Sequence, residues 1–520
     1  MKIGSGIEKL FVLIAGTTAC FVPNSNGGEP PERRGVYAIW AQNKPALLDL
    51  PFVRGGQVVA QWGELEPSEG QYDFSELDKG LKQMADRGFC ATVQVNGNLK
   101  PAWLFDVVPH HSEKLSHQIR DKQGTLMYWH PRHQGAYFRF IHAYAEYLKK
   151  SPYRSSVLGV RLNFNGLGTE HLPVPEDKRS LDQWIVPKGG DPGPEWKGEI
   201  ASAYKAAVVE AFAKDFCPEM FVFVRNNIEP EIRSKYENLF QTGKLGWFHT
   251  SSEMEPRGQG GERQYRTFVD YCRSGKTLGY AESWADSWGR HGGKTDPRWC
   301  SPPQWNYWRL LCDLNCGVSF IAVYGADLSV VIEGKAADKA AGKFRDEFVK
   351  AFEFASKYAG YHASPERSPG AWVAFREGHS LKGDYSFLMR RLPDNTKEAK
   401  NVGPDDQRYG AWARVLPKGG SMKLALNDAF AASVNGQSVT VNVVYLDREE
   451  DGFRVDAAGG RFVKKNGNTG KWQTAAFQVE KAAFAKDAAG AHVTVVSNGE
   501  NVTLHMVEVV RSNKTQDERE

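Results

Sequence analysis

The chain has 520 residues, more than one ordinary core holds, so two domains or a large barrel with an appendage is the expectation. Hydrophobic residues make up 41% and charged residues 25%, the balance of a globular protein rather than a disordered one. A net charge of +4 against 66 basic and 62 acidic side chains, with no run of Lys or Arg, argues against nucleic acid as a partner.

At the N-terminus, Lys2 and Lys9 flank a short apolar run, 10–19, followed by Cys20 and a stretch rich in Pro, Asn, Gly and Glu. Residues 1–20 therefore read as a signal peptide and 21–34 as a linker, which implies a periplasmic or extracellular protein. Cys20 follows Thr-Thr-Ala as in a lipoprotein box, but without the usual Leu, so a lipid anchor there stays an open alternative. No later segment is apolar enough to span a membrane. The seven Cys have no regular spacing, which gives neither a disulfide framework nor a zinc motif. Cys312 and Cys316, four apart, could share a helix face but lack partner ligands nearby, and no cofactor is implied.

From residue 35 short apolar strands alternate with amphipathic helical stretches, the pattern of βα units around a parallel sheet. Strands are expected at 36–41, 57–62, 89–96, 157–165, 220–225, 245–250, 278–283 and 318–324. Helices are expected at 74–87, 134–149, 198–216, 231–240, 262–274, 304–315 and 344–358. Eight strands alternating with helices across 35–363 predict a (β/α)8 TIM barrel, with no Gly-rich phosphate turn to favour an open sheet. The longest insertions, 97–133, 166–195 and 284–303, follow strands three, four and seven, where such barrels carry their active sites.

After a Pro- and Ser-rich link at 364–370 the periodicity drops to two. Segments 422–425, 438–445, 452–456, 472–479, 491–496 and 503–510 alternate apolar and polar residues between Gly, Asn and Asp turns. A C-terminal antiparallel β-sandwich over 371–511 follows, with a polar tail at 512–520. Segments 424–430, 441–447, 468–472 and 504–511 resemble the sandwich modules appended to polysaccharide-degrading enzymes, which implies an accessory domain that either binds glycan or buttresses the barrel; no aromatic cluster in the sequence marks a glycan-binding face.

Two predicted strands deliver a carboxylate. Strand seven ends in Tyr280-Ala281-Glu282, and strand four runs through Asn163 and Asn165 into Gly166-Leu167-Gly168-Thr169-Glu170. Glycosidic cleavage needs such a pair. One carboxyl stays protonated to donate to the leaving oxygen, and the other is ionised to attack the anomeric carbon or activate water. Most acids of the chain are solvated or turn-forming, and Glu66 and Glu69, in Glu-Pro and Glu-Gly, read as turn chemistry. Aromatics at 12%, with 15 Trp, exceed the needs of core filling where they fall in polar loops, and a Trp face suits a sugar ring. Trp62, Trp103, Trp129, Trp284 and Trp288 are candidate sugar-binding rings. Asn96, His130, Arg132, Asn163, Asn165, His171, His249, Tyr280 and Tyr324 are candidate polar contacts.

The segment Gln-Trp-Gly-Glu-Leu-Glu-Pro-Ser-Glu-Gly-Gln-Tyr-Asp-Phe, 61–74, resembles the strand-two signature of clan A glycoside hydrolases, family 42 in particular. Lys-Pro-Ala-Trp-Leu, 100–104, resembles the Pro-x-Trp-Leu that those enzymes carry after strand three. The resemblance implies a retaining hydrolase of β-linked glycans, including β-galactosides, with Glu170 as acid/base and Glu282 as nucleophile. Glu253, in Thr-Ser-Ser-Glu after strand six, is the alternative nucleophile. The clan places Asn next to its acid/base Glu, whereas here four residues separate Asn165 from Glu170. Arg290, His291, Lys294 and Arg298 after strand seven suggest an anionic, sulfated galactan. The rival expectation is a non-catalytic glycan-binding protein on a decayed barrel; an inverting hydrolase is a third.

Overall fold

The computed structural model describes residues 33–41, 44–217, 219–225, 228–242, 244–250 (backbone only for 247–250), 269–275, 277–282, 300–376, 383–448 and 452–512. Eight strands close into a parallel barrel: β1 Gly35–Ile39, β2 Val53–Gln61, β3 Cys90–Asn96, β4 Val157–Arg161, β5 Phe221–Arg225, β6 Leu245–Thr250, β7 Gly279–Glu282 and β8 Phe320–Tyr324. Each pairs with its sequence neighbours, and β1 closes on β8 with Ile39 opposite Tyr324. Strands covered on both faces need apolar side chains on both, and all five residues of β1 are buried. Tyr37, Ile39, Leu158, Phe223, Tyr280, Phe320 and Ala322 fill the interior, so it is a packed core rather than a pore.

The helices lie outside. In α1, Ser75–Ala85, Leu77, Leu81 and Met84 are buried at helical spacing, and Gly80 lets the helix close onto Val58 of β2. In α2, Pro131–Lys150, Pro131 sits in the first turn. There His130 caps the helix, its Nδ1 accepting from the Arg132 N–H at 3.2 Å. Two more long helices are α3, Gly198–Phe216, and α4, Pro302–Asn315. A capping box between Ser301 and Gln304 starts α4, which is buried on nearly every side. The last, α5, is Arg345–Tyr358. Among the described residues no helix is long and apolar enough to cross a membrane.

Two antiparallel sheets follow. Strand Val502–Arg511 is the spine of the first. It pairs along its length with Val439–Leu446 on one side, and with Gly370–Ala374 and Trp412–Leu416 in succession on the other. The second sheet runs Met389–Arg391, Ser421–Leu426, Val493–Ser497, Gly452–Ala457, Gly460–Lys465. Val373, Val441 and Leu504 of one sheet share a core with Leu424, Phe453 and Val495 of the other. Part of the outward face of the first sheet does not meet water. Trp372, Phe387, Trp412 and Trp472 join the core of the barrel, with Trp308 of α4 set 5.0 Å from Trp412.

The structure departs from the expected elements in four places. Strand β2 begins at Val53 and β4 stops at Arg161, four residues short of Asn165, whose backbone turns left-handed at φ 51°. The expected helix at 231–240 breaks at Tyr236 into two short pieces, Pro230–Lys235 and Glu237–Gln241. Residues 364–370 include a single 3-10 turn, Pro365–Arg367, and a buried Ser368 whose hydroxyl donates to the Gly370 carbonyl at 2.6 Å.

Candidate active site

At the C-terminal mouth of the barrel the strands present a continuous polar chain. Gln57 of β2 donates to Gln94 of β3 at 3.0 Å and to the Tyr280 hydroxyl of β7 at 3.2 Å. Arg161, the last residue of β4, donates to Gln94 at 2.9 Å and to Glu282 Oε2 at 2.7 Å. Tyr324, the last residue of β8, donates its hydroxyl to Glu282 Oε1 at 2.8 Å. Burial, reinforced by the Glu282 carboxylate, pushes both the Tyr280 and Tyr324 hydroxyls well above the usual phenol range, so both remain donors. Glu282 thus has two defined donors and is only 5% exposed.

Glu170 reaches the same mouth by another route. Beyond β4 the chain folds back, so that the Phe164 and Asn165 N–H groups both donate to the Thr169 carbonyl at 3.0 Å. Asn165 anchors the turn to β3. Its side chain accepts from the Gly97 N–H at 2.6 Å and donates to the Val95 carbonyl at 3.1 Å. Gly168 sits at φ +97°, where a Cβ would approach Gln118 to 2.4 Å. Gln118, from the loop after β3, accepts from the Thr169 N–H at 2.8 Å. The four extra residues are taken up by this loop, and Glu170 returns to the strand end.

The Glu170 side chain is 5% exposed and lies between two guanidinium groups, Arg161 at 3.6 Å and Arg225 of β5 at 3.5 Å. Burial raises its pKa above the ordinary carboxyl value. The two arginines pull against that rise and the Glu282 charge adds to it. Arg161 therefore faces both carboxyls. Burial opposes its charge, but Glu282 and Glu170 together hold its pKa above the usual arginine value. One planar guanidinium spanning both acids keeps them within about 9 Å, a span that admits retaining and inverting chemistry alike.

Other predicted residues fall into three groups. Asn96 and Asn163 meet at the ends of β3 and β4, where Asn163 donates to Asn96 Oδ1 at 3.0 Å. Tyr280 lies within the polar chain and Tyr324 at its rim. His171, next to Glu170, shares a 2.8 Å hydrogen bond with Ser116. Packing takes the second group. Trp62 is fully buried against His133, Tyr137 and Phe140, and Trp129 is buried against Trp184 and donates to the Pro194 carbonyl. Asn165 holds the loop, His130 caps α2, Trp103 is half-buried beneath the β3 loop and Arg132 is exposed. Glu253, Trp284, Trp288, Arg290, His291, Lys294 and Arg298 lie outside the described residues, as does the His249 side chain.

The signature at 61–74 has a structural account. Glu66 is buried, accepting from Trp62 Nε1 at 2.7 Å and from the Gly70 N–H at 3.0 Å, which closes the Glu-Pro-Ser-Glu-Gly turn. The Gly63 N–H donates to the Leu99 carbonyl and the Leu99 N–H to Gln61, so this segment is tied to the residue that precedes 100–104. The signature builds the scaffold under the β3 loop.

Residues 53–153 match the model of glycoside hydrolase family 42, described as β-galactosidase. The chain resembles the family 42 β-galactosidases. β-Galactosidase LacA of Lactobacillus acidophilus is 39% identical over 51 residues, 10% of this chain and 8% of that protein. β-Galactosidase Bga of Halorubrum lacusprofundi is 32% identical over 89 residues, 17% of this chain and 12% of that one. The matches thus span about a tenth of the curated relatives' length, and the family match stops before Glu170 and Glu282. Among solved structures, a β-galactosidase from Rahnella sp. R3 is similar at 12% identity and a TM-score of 0.36, over 63% of this chain and 57% of that one. A solved glycoside hydrolase is similar at 10% identity and a TM-score of 0.38, over 93% of both chains.

Arg161, Arg225, Gln57, Gln94 and Gln118 escaped the reading of the sequence. Arg161 had a usable signal, a lone charge in the apolar run Val-Leu-Gly-Val-Arg-Leu. Gln118 had none, because its place is set by the fold of a long loop.

Proposed function

We propose that the protein is a retaining glycoside hydrolase of β-linked glycans, with Glu170 as general acid/base and Glu282 as nucleophile. The observation that carries this is the pair of buried carboxyls, one in the loop after β4 and one at the end of β7, both facing Arg161. A carboxyl whose pKa burial has raised suits proton donation to a leaving oxygen. A carboxylate fixed by Arg161 and Tyr324 suits attack at the anomeric carbon. A β-galactoside substrate is supported by the likeness to β-galactosidases, and a sulfated galactan by the basic residues 290, 291, 294 and 298. Equal cleavage of neutral and sulfated oligosaccharides would remove the sulfated variant. Export is supported by the pattern of residues 1–20, and N-terminal sequencing of the mature protein from separated fractions tests it, together with the lipid on Cys20.

A panel of neutral and sulfated galactans, treated with wild type, Glu282→Gln and Glu170→Gln and read by mass spectrometry, is the test. Cleavage by wild type that both variants lose is expected, with the first product anomer retained by NMR. Turnover surviving in Glu282→Gln would move the nucleophile to Glu253, and an inverted anomer would replace nucleophilic attack by activated water. One observation favours a glycan-binding protein without turnover: four residues separate Asn165 from Glu170, where the clan has Asn and its acid/base Glu adjacent. Glycan binding without cleavage in wild type and Glu170→Gln alike would establish that reading.

A further inference from the structure

One large aromatic side chain stands out of place. Ile39 and Ala41 are buried, yet Trp40 between them is 51% exposed and lies just past the C-terminal end of β1. Its backbone is left-handed at φ 56°, a conformation in which a bulky residue is an outlier and Gly or Asn would sit without strain. Neither burial nor local conformation explains a Trp there, and residues that break the local rules gather at functional sites.

Its neighbour gives the reason. The indole meets the Tyr324 ring edge-to-face, with centroids 5.1 Å apart and planes at 79°. Tyr324 in turn donates to Glu282 Oε1 at 2.8 Å. By register Ile39 pairs with Tyr324 and Glu282 with Ala322, so Glu282 lies two residues deeper and Trp40 one residue nearer the mouth than Tyr324. Trp40 therefore stands at the rim on the side of Glu282. Glu170, in the loop after β4, is reached from β1 across β2 and β3.

We propose that Trp40 is the stacking platform for the glycone, holding a pyranose ring by its C–H face above Glu282. This rests on the glycoside hydrolase reading, in which the anomeric carbon lies at Glu282 and the leaving group at Glu170. An indole of this exposure offers a flat apolar surface, and an aromatic face covers sugar C–H groups as it covers other apolar surface. The edge contact with Tyr324 fixes the ring before substrate arrives, so little side-chain freedom is lost on binding.

The test compares wild type, Trp40→Phe and Trp40→Asn on a set of 4-nitrophenyl β-glycopyranosides and on the glycan panel. Asn accepts the left-handed backbone, so Trp40→Asn should melt at the wild-type temperature or above it. Its KM should rise by about tenfold or more with a smaller change in kcat, the size expected for losing one aromatic face. Competitive inhibition by the free monosaccharide should weaken by the same factor, and Trp40→Phe should recover part of both. An unchanged KM, or a fall in kcat alone, would overturn the inference and leave Trp40 acting through Tyr324. A clear drop in melting temperature for both variants would overturn it in favour of a packing role. If wild type turns over no glycoside of either set, the hydrolase reading fails first and the inference falls with it.

Discussion

The two candidate carboxylates reach one mouth by different means. Glu282 is the last residue of β7, positioned by the barrel's own register and fixed by hydrogen bonds of 2.7 and 2.8 Å. Glu170 belongs to no strand. A loop closed on Thr169, tied by Asn165 and propped by Gln118, carries it back, and two ion pairs at 3.5–3.6 Å flank it. A group that must hold one charge gains from fixed donors. A group that must give and retake a proton gains from burial and looser charge contacts. The difference in delivery matches the proposed difference in task.

The largest effects should come from the carboxyls themselves. Glu282→Gln should lower kcat by about 10³-fold or more on every substrate, the scale of losing a nucleophile. Glu170→Gln should lower kcat/KM by about 10²–10⁴-fold on glycan leaving groups but far less on an activated nitrophenyl group, whose departure needs no proton. Equal losses on both leaving groups would erase the proposed division. Next comes Arg161→Met, which removes the cation that bridges the two acids among the described residues. Activity should fall by about 10²-fold and stability by about 3–5 kcal/mol in urea unfolding, because buried acids lose their partner.

Gly168→Ala tests the loop rather than the chemistry. A Cβ at φ +97° against Gln118 should displace Glu170, costing about tenfold in kcat and about 1 kcal/mol in stability. Glu282-dependent steps should be spared, so glycosylation of a fluoro-sugar probe should slow little. The smallest effect is a shift. Arg225 holds the Glu170 pKa down against burial, so Arg225→Met should let it rise. Activity lost on deprotonation of Glu170 would then persist to higher pH, and the alkaline limb of kcat/KM should move upward. Movement the other way would remove Glu170 from the acid role.

Much of this was legible in the sequence. Strands β1, β3, β5, β6, β7 and β8 are apolar runs between polar stretches, and the alternation of strand and helix leaves few closures besides a barrel. Glu282 ends its apolar run, so its position could be read directly. Glu170 was harder. Strand character continues through Leu162-Asn163-Phe164, yet β4 stops at Arg161, and the fold-back depends on Gln118 some fifty residues earlier. Trp62 sits in polar surroundings in sequence and Trp129 runs into His130-Pro131-Arg132, yet both lie among aromatics in space, which one-dimensional neighbours cannot reveal. The chain beside Trp40 reads as uninterrupted strand, and only its left-handed backbone turns the indole outward.

The aromatic seam between α4 and the first antiparallel sheet has a consequence for how this chain is inherited. Trp308, Trp372, Phe387, Trp412 and Met506 belong to the same core as the barrel, so neither half has a finished surface of its own. A module that travels between genes must bring a polar skin, and this sandwich lacks one where it meets α4. Barrel and sandwich therefore form one unit of cooperative unfolding and of selection. Changes in a sheet far from Glu170 and Glu282 will be felt at the barrel through α4, without touching substrate.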